Sequence, residues 1–94
     1  LAASKGKLEN ALRAYKDLNR VAMMKIKNGG LIASFSCSGS VTRELLRQTI
    51  CYAAADAGCE IQIIRALSAG DDHPIRISFP ESEYLKGFIY RVIR

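Results

Sequence analysis

Leu31-Ile32-Ala33-Ser34-Phe35-Ser36, entered from Asn28-Gly29-Gly30 and left through Cys37-Ser38-Gly39-Ser40, is the stretch on which the fold turns. Its run of apolar residues, rather than strict alternation, predicts a short strand covered on both faces. The glycine pair before it is the easiest place for a positive φ, so a preceding helix should stop there. Ser40 is placed to cap a second helix from Val41 to Ala57, with Leu46, Ile50, Ala53 and Ala57 inward and Gly58 as its end. Glu60–Leu67 then reads as a second strand, apolar at Ile61, Ile63 and Ile64. Strand, helix, strand with short joints is a βαβ unit, which calls for a parallel pair.

Upstream, Leu8, Ala11, Leu12, Tyr15, Leu18, Ala22, Met23 and Ile26 recur at three- and four-residue spacing and predict an amphipathic first helix. Arg13, Lys16, Arg20 and Lys27 fall on its other side as a basic stripe. Downstream, a loop from Ser68 to Pro74 holds His73, followed by a strand Ile75–Phe79, a turn at Pro80-Glu81-Ser82-Glu83 and a final strand Tyr84–Ile93. The final strand either forms a hairpin with its predecessor or returns antiparallel to Glu60–Leu67. The fold class expected is α/β.

Ninety-four residues make one small domain. With 49% hydrophobic and 24% charged residues, the chain can build a core and does not read as disordered. The longest uncharged stretch, Asn28 to Thr42, is shorter than the roughly 18 apolar residues of a membrane span and is broken by glycines and serines. No secretory signal is visible, and a start at Leu1 rather than Met predicts a piece of something longer. Cys37, Cys51 and Cys59 are too few and too irregularly spaced for a disulfide framework. With His73 as the lone histidine they match no zinc pattern, so no metal is expected. A reduced, cytoplasmic setting is the default.

The net charge of +5 is local. Residues 1–27 hold seven Lys or Arg against Glu9 and Asp17, while residues 28–94 hold seven of each sign. Such asymmetry attracts polyanions, although a solvated helix face has the same pattern. The glycines form neither a G-x-G-x-x-G nor a P-loop spacing.

Six collinear segments carry a family resemblance. They are Tyr15-Lys16-Asp17-Leu18-Asn19, Gly29-Gly30 with Phe35-Ser36-Cys37-Ser38-Gly39, Ala54-Ala55-Asp56-Ala57-Gly58, Asp72-His73-Pro74, Pro80-Glu81, and Tyr84-Leu85-Lys86-Gly87. In this order they resemble the C-terminal end of the large-subunit ribosomal RNA cytosine-5 methyltransferases, over almost the whole chain. The resemblance implies the C-terminal half of a Rossmann-like class I methyltransferase domain, with antiparallel C-terminal strands. It also implies S-adenosyl-L-methionine as cofactor and ribosomal RNA as partner. The family's donor-binding glycine-rich turn, its Asp-Pro-Pro motif and its PUA-type RNA-binding domain have no counterpart among these residues. A segment of this kind is expected to be inactive alone.

On the residues themselves, Cys37 is either a nucleophile or an inert buried thiol. It lies past the carboxyl end of a strand, where open α/β sheets place their sites, and before a helix N-terminus that favours a thiolate. The resemblance puts the family's catalytic cysteine at this Ser-Cys-Ser position. A thiolate adding to C6 of cytosine makes C5 nucleophilic enough to accept a methyl group. Lys16, Asn19, Ser36, Ser38 and His73 are candidate substrate contacts, each with a local structural role as the alternative. Tyr84 and Lys86 are expected to hold the terminal strand, and Cys51 and Cys59 to fill small apolar spaces.

Two other functions fit the same residues. A Cys37–His73 thiol enzyme needs those side chains within hydrogen-bond reach and a third orienting group. A non-enzymatic basic RNA-binding or dimerisation module needs salt-sensitive binding that survives loss of Cys37. The apolar edge of strand 31–36, without the family's neighbouring strand, predicts a homodimer built there or on the first helix.

Overall fold

The computed structural model describes residues 2–68 and 85–94. Its elements in order are α1 (Ala2–Lys25), β1 (Leu31–Ser36), α2 (Arg43–Ala57), β2 (Glu60–Ser68) and β3 (Lys86–Ile93). The expected loop with His73, the strand 75–79, the turn 80–83 and Tyr84 lie outside the described residues. Among the described residues no helix is long and apolar enough to cross a membrane.

α1 turns its Leu8, Leu12, Tyr15 and Met23 toward the core, with Ile26 just past its end, following the helical spacing of the sequence. One position departs from it. Leu18 is 68% exposed, whereas Asn19 is 5% exposed and takes the inward place. Asn19 can be buried because both ends of its amide are bonded: Nδ2 donates to the Tyr15 carbonyl at 2.8 Å, and Oδ1 accepts from the Tyr90 hydroxyl at 2.6 Å. The helix stops before the glycine pair, as expected, with Gly29 at φ 85°. A Cβ on Gly30 would fall 2.5 Å from Ile26 Cγ1, so that close approach requires glycine. Gly29 N–H donates to Val92 O (2.7 Å) and Val92 N–H to Gly30 O (2.9 Å), which fastens the turn to the last strand.

The sheet order is β1-β3-β2, with β3 antiparallel to both neighbours. The antiparallel return of the final strand onto 60–67 therefore holds. The direct parallel pair of a βαβ unit does not form. β1 and β2 run the same way on either side of α2, but β3 lies between them. From the centre of the sheet β3 buries Phe88, Tyr90 and Val92 on the helix face. On the other face Gly87 leaves room for the Phe35 ring.

β1 differs from its expected two-sided burial. Ser34 and Ser36 point inward, while Leu31 and Phe35 remain exposed. The alternation follows from pairing with β3, which puts Ser34 opposite Phe88 and Ser36 opposite Lys86 on the helix face. Beyond its pairing with β3, β1 has no second neighbour among the described strands. In β2 a register shift between Ile63 and Arg65 displaces Ile64 outward, the effect of a bulge.

α2 begins two residues later than its expected start. Thr42 is the cap, its side chain accepting from Leu45 N–H at 3.1 Å, and Ser40 is not. Ser40 instead belongs to the loop, its N–H donating to Ser38 Oγ at 3.2 Å. Gly58 ends the helix in the left-handed region (φ 73°), as its position implied. Leu46, Ile50 and Ala53 are buried as expected, joined by Thr49 and Ala54; Ala57 is half-buried. These residues meet Met23, Val41, Phe88, Tyr90 and Val92 in a single core between the helices and one face of the sheet. Truncating a fully buried member such as Leu46 to alanine costs about 2–5 kcal/mol in cores of this kind.

Candidate active site around Cys37

Cys37 is exposed and sits one residue beyond the last residue of β1. The thiol thus lies at the strand's rim, where the sequence put it, and is not buried. The backbone on either side is fixed by polar contacts. Ser36, 2% exposed, donates from Oγ to the Tyr15 hydroxyl (3.2 Å) and accepts from Ser38 N–H (3.3 Å). Val41 N–H donates to Ser38 O at 3.3 Å, closing a turn over residues 38–41.

Beneath that turn lies a lysine. Lys86, 7% exposed, donates from Nζ to Ser38 O at 3.0 Å and to Val41 O at 2.7 Å. It was expected to hold the terminal strand, and what it holds is the loop carrying the thiol. The signal available in sequence was a lysine in register with Phe88, Tyr90 and Val92, the even positions of the strand that face the core.

A cavity of about 280 Å³ opens beside the loop, lined by Lys7, Leu8, Ala11, Ser38 and Ser40. Ser68, the last residue of β2, pairs with Lys86, which in turn pairs with Ser36. The chain thus leaves β2 at the same end of the sheet as Cys37. His73, five positions further, lies outside the described residues.

The other expected contacts separate from this group. Lys16 points toward α2 and pairs with Asp56 Oδ2 at 3.1 Å. Asn19 is interior and holds α1 against β3. Of the basic stripe, Arg13 and Lys27 are exposed, while Arg20 Nη1 lies 3.4 Å from Met24 Sδ. Arg47, on α2, binds Glu44, and its guanidinium holds that carboxyl below its usual range. Of the expected contacts, Ser36 and Ser38 stay beside Cys37, as its neighbours in the chain. Cys59 packs against the core as a filler, whereas Cys51, expected to do the same, is exposed on α2. Its position is one helical step away from the inward stripe of Leu46, Ile50 and Ala53.

The one glycine pair has its N–H groups bonded inside the fold, Gly29 to Val92 and Gly30 to Lys27, so neither is available to a nucleotide-like ligand.

No family model matches the chain. Curated relatives do. The chain is 47% identical over 90 residues to the ribosomal RNA large subunit methyltransferase I of Pseudoalteromonas atlantica, covering 96% of this chain. Proteins of the same name from Shewanella amazonensis and Shigella dysenteriae are 46% identical over 91 residues and 43% identical over 90. In each case the match spans 23% of the relative's length. Over nearly all of its length the chain is thus similar to one segment, about a quarter in length, of ribosomal RNA large subunit methyltransferases I.

Proposed function

We propose that the chain is the thiol-bearing segment of an S-adenosyl-L-methionine-dependent enzyme that methylates C5 of a cytosine in ribosomal RNA. The observation that carries this reading is the exposed Cys37 at the rim of the sheet, on a loop held from both sides, within a chain homologous to rRNA methyltransferases. Cytosine C5 is a poor nucleophile. Addition of the Cys37 sulfur to C6 turns the ring into an enamine-like adduct, and the C5 carbon then takes the methyl group. Loss of the C5 proton returns its electron pair to the ring and expels the sulfur. The target base must leave its stack to reach the thiol.

In this reading the methyl donor binds largely in other parts of the protein, of whose relatives' length this segment spans 23%. The domain is then a class I, Rossmann-like one, whose final strand inserts antiparallel between its neighbours as β3 does. The edge of β1 that has no neighbour among the described strands receives a strand of the same protein, and the homodimer expected from that edge is not needed.

The test is adduct formation by the intact enzyme on RNA containing 5-fluorocytosine, read by mass spectrometry of the protein. The fluorine cannot leave as the proton does, so the adduct persists. It should form on the peptide carrying Cys37 and vanish in Cys37→Ala. An adduct undiminished by that substitution would remove Cys37 from the chemistry.

A further inference from the structure

We infer that Lys86 is a positioning residue of the active site, fixing the loop that presents Cys37. Its ammonium is almost wholly buried and bonds to both ends of the turn that follows the thiol, Ser38 O at 3.0 Å and Val41 O at 2.7 Å. Two features set it apart from an ordinary structural lysine. First, among the described residues it has no carboxylate partner, their ion pairs being Lys16–Asp56 and Arg47–Glu44. A buried charge offset only by neutral carbonyls is costly to maintain, and an apolar residue of similar length would fill the space with less desolvation. Second, its contacts are with the loop. On β3 it stands opposite Ser36 and Ser68, so the strand reaches the rim where the thiol lies, and the side chain continues to the residue after Cys37. Ser36 Oγ holds the N–H of Ser38 from the other side. Ser38 is thereby fixed at both its N–H and its carbonyl, which limits the directions open to the Cα–Cβ bond of Cys37. A ring carbon must be met at bonding approach by the sulfur, and a displacement of about 1 Å is enough to cost on the order of 100-fold in rate.

The inference rests on Cys37 being the nucleophile. It is tested in the intact full-length enzyme with Lys86→Met and Lys86→Arg, measuring methylation of RNA at varied RNA and donor concentrations. Lys86→Met should lower kcat by roughly 10- to 100-fold with KM for RNA and donor within about twofold. Lys86→Arg, which can still donate to both carbonyls, should recover at least several-fold of that loss. A kcat within about twofold of the parent in Lys86→Met, or an arginine variant no better than the methionine one, overturns the inference. To separate loop positioning from general unfolding, iodoacetamide labelling is followed at Cys37 and at Cys51, which is exposed on α2 away from the loop. The rate at Cys37 should change at least threefold in Lys86→Met while that at Cys51 stays the same. A common change at both thiols means global loosening and also overturns it. The two proposals fail separately: an active Cys37→Ala removes the nucleophile, whereas an inactive Cys37→Ala beside a fully active Lys86→Met removes Lys86 alone.

Discussion

The Tyr90 hydroxyl donates to Asn19 Oδ1 at 2.6 Å, joining the central strand to the first helix across 71 positions of chain. Removing the hydroxyl in Tyr90→Phe leaves a buried amide oxygen without its donor, which costs about 1–3 kcal/mol. Urea denaturation should register this, and Asn19→Leu made together with Tyr90→Phe should cost less than the sum of the two single changes.

The same phenol makes the fold sensitive to alkali. Burial pushes the Tyr90 hydroxyl well above its ordinary value of 10.0, with Cys59 adding to the rise. A raised folded-state pKa means that the native state keeps a proton the unfolded chain gives up. Its stabilising contribution is therefore complete below pH about 10 and declines as the pH rises beyond that. Denaturation midpoints should fall above that pH, and the fall should be shallower in Tyr90→Phe.

Two glycines should respond oppositely to alanine. At Gly87 a Cβ would sit 2.6 Å from Ser34 O and 2.6 Å from Phe35 Cδ1, and the first of these is backbone in a paired strand. Gly87→Ala should destabilise by about 1–3 kcal/mol. Gly6, within α1, has nothing within 4 Å of that position, so Gly6→Ala should stabilise by up to about 1 kcal/mol. Thermal unfolding of the two variants distinguishes them by sign.

The start of α2 gives a fourth test. Thr42→Ala removes the side chain that accepts from Leu45 N–H and should cost about 1 kcal/mol. Ser40→Ala leaves the helix cap intact and should change stability by less than about 0.5 kcal/mol. Equal losses at the two positions would contradict the cap at Thr42.

Thiol labelling should follow exposure. Cys37 and Cys51 are exposed and Cys59 is packed against the core, so iodoacetamide should modify the first two before the third. Peptide mass spectrometry over a time course reads the order. Prior labelling of Cys59 would contradict the packing of β2 against α2.

Helix positions, the glycine-terminated ends and the placement of Cys37 at a strand's rim were readable from the chain, because each depends on residues within a few positions of one another. The 3.6-residue spacing of α1 needed no partner to be seen, and Gly29 and Gly58 announced left-handed turns. The family, too, was legible in six short segments. Which residues of α1 and β1 face inward was not. Asn19 displaces Leu18, and Ser34 and Ser36 displace Leu31 and Phe35, because burial was decided by hydrogen-bond partners far away in sequence: Tyr90, Tyr15 and the residues of β3 opposite β1. The insertion of β3 between β1 and β2, and with it the contact of Lys86 with the loop of Cys37, likewise belongs to the tertiary structure. Strand order is a competition among long-range pairings, and local sequence carries no record of which pairing wins.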